Sequence, residues 1–350
     1  MKERQVYVMN ALDRFKILFR RVKNGSIKKM KYFADEIHEE TGKPSLAIMA
    51  DMCWCAAKYG IGYQEYRGYG FVDKNGALRK TFMTVNHNIA LTREANDREL
   101  YPVLEDKGLF LKTYHDFVSR DWLDTRECSK QDFIDFTKKH DTFFVKPINL
   151  SGGNGISKVT TSRIDPDKYY DLLTKDNGEF IIEEAIKQHP EMNKLNPNSV
   201  NTLRMVTLLK DGEPKYLYTV LRAGQGNAVV DNAGSGGVYT FVDKDGICRF
   251  PLYDEKKGLT MDKHPTTKME IVGFRIPMFQ EAVDYVMKAA LVEPRLGYIG
   301  WDVAITEEGP TLVEGNLIPG FDMAQNLNWH PEGEGILPLM EEAWGGPLPR

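Results

Sequence analysis

The chain has 350 residues, 42% hydrophobic and 27% charged, which suits two or three packed units of a soluble globular protein. Its 46 Lys and Arg against 50 Asp and Glu leave a formal charge of −4, so no broad basic field draws it to nucleic acid or to an anionic membrane. No apolar run approaches ~20 residues, so no spanning helix is expected, and the four cysteines read as reduced thiols of a cytoplasmic protein.

Taken in chain order, residues 1–60 read as three helices, about 10–23, 27–41 and 45–59. Gly42 and Pro44 separate the last two, and Gly60 stops the third. The basic segment 11–31 carries Phe15, Ile17, Leu18, Phe19 and Val22, which suits packing on the domain behind it or lying at an interface. Cys53 and Cys55 fall on different sides of the third helix, unsuited to a disulfide or a metal knuckle. Residues 61–105 are rich in Tyr and Gly and give no clear element.

Beyond Asp106 the pattern sharpens. Helices are expected over 107–117 and from the Ser129 N-cap to Lys139, with a strand over 142–148. A glycine-rich loop, 151–157, leads into a strand through 158–160, a helix over 166–175 and a strand over 179–185. Strands follow near 203–209, 215–222 and 238–242, then a helix over 277–292. Hairpins outnumber crossovers, so the fold class is α+β rather than a doubly wound sheet.

The last hairpin carries the strongest chemical signal. Tyr298 to Thr306 and Thr311 to Asn316 are apolar, β-branched runs around a Gly309-Pro310 turn. With a loop from Glu307 to Gly309, Asp302 lies opposite Glu314. Strand alternation puts Glu314 and Asn316 on one face, with Val303, Ile305 and Val313 on the other. Three hard oxygen donors on a rigid hairpin suit Mg²⁺ shared with phosphates. An exposed strand with ordinary acids would carry the same residues.

Other segments add to this. Lys146 ends a strand that enters Ser151, Gly152, Gly153, Asn154 and Gly155, where glycines let backbone N–H groups approach an anion and the lysine adds a compact charge. No Gly-Lys-Ser/Thr follows, so the loop is not a Walker A cradle; it joins two antiparallel strands as a flap, or is a plain glycine turn. The strand ending at Glu183, Ala185 and Ile186 offers main-chain groups and an apolar surface to a base, or is an interior strand with charged ends. Arg204, second in its strand, suits a phosphoryl group or carboxylate, or a salt bridge to a neighbouring acid. The second glycine-rich stretch, 222–237, is too long for a simple turn and offers Arg222, Asp231 and Asn232 as substrate contacts, or is a solvated Ω-loop.

In this order the pieces resemble the ATP-grasp superfamily, and most nearly its sugar-transfer-associated branch. The resemblance rests on Gln188-His189-Pro190-Glu191, Leu195-Asn196-Pro197, Ser199 to Arg204, Val230-Asp231-Asn232 with Gly236-Gly237, and Leu312 to Asn316, and covers about residues 100–330. It implies an ATP-grasp fold of two α+β lobes sandwiching ATP, with an additional mostly helical N-terminal region. The implied division is 1–105 for that region, 106–190 for the small lobe with its flap, and 191–350 for the large lobe with its metal site. Lys107 and Lys146 would contact phosphate under the 151–157 flap. Glu183, Ala185 and Ile186 would line the adenine slot, and Glu191 would reach the ribose. Asp302, Glu314 and Asn316 would hold Mg²⁺, and Arg204 with Lys146 would be catalytic.

The expected activity is an ATP-dependent carboxylate–amine (or thiol) ligase working through an acyl phosphate, on a sugar or polysaccharide precursor. The alternatives are a kinase acting on a non-carboxylate acceptor and a non-catalytic nucleotide-binding partner of a glycosyltransferase complex.

Overall fold

A computed structural model of the protein describes residues 27–150, 152–153, 155–175, 178–228, 230–326, 329 and 333–349. The expected helix over 10–23, Ser151 and Asn154 lie outside the described residues. The chain is α+β, and its contacts divide it into two compact units. One holds the chain up to His87 together with Gln325–Pro338, and the other holds Asn88–Ala324 and Leu339–Arg350.

The first unit is helical. Helices Ile27–Thr41 and Ser45–Tyr59 flank Gly42, and the second ends where Gly60 adopts the left-handed conformation (φ 75°). Phe33, Ala34 and Ile37 recur at helical spacing and pack with Ile48, Met52 and Cys55. Tyr66, Tyr69, Phe71 and Phe82, from the stretch that gave no clear element, complete this core around short helical turns.

The second unit carries two antiparallel sheets. The smaller has the order β1-β4-β2-β3, with β1 Trp122–Asp124, β2 Thr142–Pro147, β3 Ser157–Thr160 and β4 Phe180–Glu184. Alternation splits its faces. Phe143, Val145, Val159 and Ile182 pack with Phe133, Phe136 and Leu173 from helices Lys130–Lys139 and Pro166–Thr174. Ser129 caps the first of these, accepting from the Asp132 amide. Phe144, Lys146 and Glu183 take the opposite face.

The larger sheet joins β5 Leu203–Lys210, β6 Glu213–Ala223, β7 Val238–Val242, β8 Leu252–Asp254, β9 Leu259–Met261, β10 Tyr298–Ile305 and β11 Pro310–Asn316 in the order β11-β10-β5-β6-β7-β8-β9. On one face Leu203, Met205, Leu221, Ile299, Trp301 and Val303 form a core with Ala282, Val286 and Ala289 of helix Phe279–Ala289. Trp301 Nε1 is satisfied there by Thr207 Oγ1 at 2.9 Å. Arg204, Asp302 and Glu314 occupy the other face, in register: Arg204 opposite Asp302, and Asp302 opposite Glu314.

That register arises by a route the sequence does not display. Ile305 pairs with Pro310, so the turn is Thr306–Gly309, one residue longer than expected. The ladder then slips between Asp302 and Val303, leaving Val313 as the extra residue of a bulge. The bulge restores the Asp302–Glu314 pairing. Instead of pointing away with Val303 and Ile305, Val313 lines the same cleft as Asp302 and Glu314.

Candidate active site

The cleft lies within the second unit and spans about 860 Å³ of empty space, solvent at its mouth included. Lys107, Lys146, Gly152 and Gly153 line one side, and Thr202, Arg222, Asp231, Asn232, Asp302 and Glu314 line another. Phe144, Leu150, Ile156, Ile186, Val200 and Val230 supply an apolar lining. A mostly apolar concavity with a few convergent charges is what a small-molecule site looks like.

Asp106 caps helix Lys107–Thr113 by accepting from the Gly108 and Leu109 amides at 2.8 and 3.0 Å, which sets Lys107 at its first turn. Lys107 Nζ donates to the carbonyls of Pro147, Ile148 and Leu150, the backbone leading into the glycine loop. Burial lowers its pKa. Gly152, Gly153 and Gly155 all have positive φ. A Cβ on Gly153 would stand 3.1 Å from Val230, so the loop tip packs against the second glycine-rich stretch with no room to spare.

Lys146 pairs with Glu183 at 2.8 Å, and Arg120 Nε reaches the same carboxylate oxygen at 2.7 Å. Burial alone would raise the Glu183 pKa. The Arg120 and Lys146 charges outweigh it and hold the carboxyl at about 2. Arg120 also donates to the Leu312 and Val313 carbonyls at 2.6 and 3.2 Å, pinning the bulge of β11 to β4.

Asp302 is gripped by two arginines. Arg204 Nε lies 2.6 Å from Oδ1, and Arg222 Nη2 lies 2.6 Å from Oδ2. Arg222 is held in turn by Thr202 Oγ1, which accepts from its Nε and Nη2 and donates to Asp231 at 2.5 Å. The Asp302 and Glu314 carboxyls lie within hydrogen-bonding reach of each other. Burial would raise Asp302, but Arg204 and Arg222 hold it well below the carboxylate range. Glu314 moves the opposite way: burial and the neighbouring Asp302 charge push it above that range. The pair offers hard oxygens, a donor set suited to Mg²⁺ once both carboxyls are ionised.

Among the expected site residues, the structure brings Lys107, Lys146, Gly152, Gly153, Glu183, Ile186, Arg222, Asp231, Asn232, Asp302 and Glu314 to one cleft. Others stand off its lining. Gly155 lies behind the loop tip, where a Cβ would meet Pro147 at 2.9 Å. Ala185 is tied through its amide to Thr142, and Glu191 pairs with Lys194 at 2.6 Å. Asn316 donates from its side-chain amide to the Gly300 carbonyl at 3.2 Å. Arg204 sits beneath Asp302 rather than in the lining.

Arg120 is not singled out from the sequence, and Thr202, though within the Ser199-to-Arg204 motif, is given no role there. Thr202 precedes Arg204 in a polar turn and could have been flagged by that position; Arg120 sits in no motif.

The sugar-transfer associated ATP-grasp family matches residues 86–342. No curated protein matches the chain. Among solved structures, similarity is found to the ATP-grasp ligase PsnB complexed with a minimal precursor, at 12% identity and a TM-score of 0.39, covering 64% of this chain and 55% of PsnB. D-alanyl-alanine synthetase A from Vibrio cholerae O1 biovar eltor is similar at 12% identity and 0.41, covering 70% and 66%. D-alanine–D-alanine ligase from Bacillus anthracis, complexed with ATP, is similar at 17% and 0.37, covering 66% and 60%. The chain thus spans little more than half the length of PsnB. No helix among the described residues is long and apolar enough to cross a membrane. The family match covers most of the chain, which therefore belongs to the sugar-transfer associated ATP-grasp family.

Proposed function

We propose that the chain is an ATP-dependent ligase that joins a carboxylate to an amine or thiol through an acyl phosphate, acting in the cytoplasm on a sugar or polysaccharide precursor. The observation that carries this reading is the placement of Lys107, Lys146 and two loop glycines in the same cleft as Asp302 and Glu314. A triphosphate lying there has cations and backbone N–H groups on one side and metal-binding oxygens on the other.

In the first step an oxygen of the substrate carboxylate attacks the γ-phosphorus and ADP leaves. In the second, the nucleophile attacks the acyl carbon, inorganic phosphate leaves and the nucleophile loses a proton. No protein nucleophile is needed. Lys146 and Lys107 would exchange present partners for phosphate oxygens. Arg222, in the cleft wall, would face the charge that develops on the transferred phosphoryl group, with Thr202 and Asp231 fixing its direction. Arg204 would hold Asp302 from beneath. Asp302 and Glu314, with Asn316 behind them, would hold Mg²⁺, which when bound neutralises phosphate charge.

The test is ADP release over paired panels of carboxylic acids and amines, with hydroxylamine present to trap acyl phosphate. Hydroxamate formation that depends on ATP and on the acid supports the ligase. A stable phosphorylated product without hydroxamate replaces it with a kinase, and ATP binding without turnover across the panels replaces it with a non-catalytic nucleotide binder.

A further inference from the structure

At one end of the smaller sheet, where Glu184 also lines the cleft, three potential metal ligands meet: Asp121, His140 and Glu184. Each offers one donor atom, and these atoms lie within 4.8 Å of one another. They come from three separate segments: the residue before β1, the C-cap of helix Lys130–Lys139, and the last residue of β4.

The backbone holds those segments in place. The Glu184 amide donates to the Asp121 carbonyl at 2.9 Å, and the Asp121 amide donates to Glu184 Oε2 at 3.2 Å. The His140 carbonyl accepts from Thr161 Oγ1 at 2.6 Å. The imidazole packs on Phe136, with ring centroids 4.5 Å apart, and its side chain is 11% exposed. His140 Nε2 stands 3.0 Å from Asp121 Oδ2. Two donors bound at about 2.0–2.2 Å in tetrahedral geometry stand roughly 3.4 Å apart, so little movement is needed to seat a cation between them. On the other ring nitrogen, Nδ1, Glu184 Oε1 lies at 3.7 Å. Glu184 keeps a carboxylate oxygen within 4.8 Å of the other two donor atoms.

We propose that Asp121, His140 and Glu184 form a second metal site, distinct from the Asp302–Glu314 pair, that takes a transition-series divalent cation such as Zn²⁺. The single imidazole sets its preference: Mg²⁺ favours oxygen ligands alone, whereas nitrogen with carboxylates suits Zn²⁺. The bound ion clips β1, the entry to β2 and the end of β4 together. Water completes the coordination at the exposed Asp121 side.

The experiment uses the full chain, freed of metal by a chelator, in the Asp302→Asn/Glu314→Gln background so that the cleft pair does not contribute. Zn²⁺ binding is followed by equilibrium dialysis without nucleotide, and Co²⁺ is added separately for its visible absorption. One saturable Zn²⁺ per chain and ligand-field bands with Co²⁺ are expected. His140→Gln should abolish both. Asp121→Asn, at an exposed position that leaves the fold intact, should weaken Zn²⁺ binding at least ~tenfold. Circular dichroism checks the fold of each variant, and Asp121→Asn decides the outcome if His140→Gln unfolds. The proposal falls if the chain retains no saturable Zn²⁺, or if Asp121→Asn and a folded His140→Gln bind it as well as their parent; either result leaves these residues as an ion-pair cluster only.

Discussion

Glu183, buried, and Glu314, half-buried, are acids on the wall of one cleft, and their surroundings treat them in opposite ways. Arg120 and Lys146 compensate Glu183, which stays ionised and, through Arg120, ties the glycine-loop strand to the β10–β11 hairpin. Glu314 shares its site with a second carboxylate whose arginines are already committed to that neighbour. The first arrangement is electrostatically settled without a ligand. The second is not, and a divalent cation would relieve it. A charge left uncompensated inside a protein marks a place where binding supplies what folding does not.

The sharpest way to break this comparison is to neutralise each acid in turn. Glu314→Gln should cut Mg²⁺-dependent ADP formation by about 10²–10³-fold or more, measured in the acid and amine panel. Yet its melting temperature at pH 8 should be no lower than that of the parent, because the amide removes a disfavoured charge. A clear drop in melting temperature would show that Glu314 is structurally compensated after all. Glu183→Gln should do the reverse, costing about 3–5 kcal/mol in denaturant unfolding, because Arg120 and Lys146 lose their shared counter-charge in a buried place.

Solution pH sharpens the contrast. Glu314 must lose its proton to bind a cation, so the apparent Mg²⁺ affinity should rise up to ~tenfold per pH unit while that group still holds its proton, and flatten above its raised pKa. Titration by calorimetry in two buffers would also reveal the released proton. Glu183, with a folded-state value of about 2 against an ordinary 4.5, contributes stability that is full above the ordinary value and lost as acid takes the pH down through that window. The smallest effect concerns the flap. Gly153→Ala places a side chain at φ 79° and 3.1 Å from Val230, a strain of roughly 1–2 kcal/mol. It should raise the KM for ATP several-fold and lower the melting temperature by only a few degrees.

Much of this was readable in the residues because it is local. The helices Ile27–Thr41 and Ser45–Tyr59 end where Gly42 and Gly60 say they must, and Ser129 starts its helix as a cap. The Asp302–Glu314 pairing is expected from the hairpin, although it comes about through a longer turn and a bulge that offset each other. What escaped is non-local. The bulge at Val313 is held by Arg120, nearly two hundred positions away in sequence. The commitment of Arg204 and Arg222 to Asp302 depends on three strands coming together, so neither arginine announces its partner. Residues 61–84 build their part of the core from aromatic rings on short turns, too short for any periodicity to register, while the helix Val85–Ala95 in the same stretch went unseen.

The bulge has a practical corollary. Because Arg120 and the slipped ladder fix Asp302 against Glu314 from below, the turn above them is relieved of setting the alignment. Its tip, with Glu307 and Glu308 in solvent, is therefore a natural port for grafted peptides or reporter tags, which could ride on the hairpin while the two acids keep their mutual spacing.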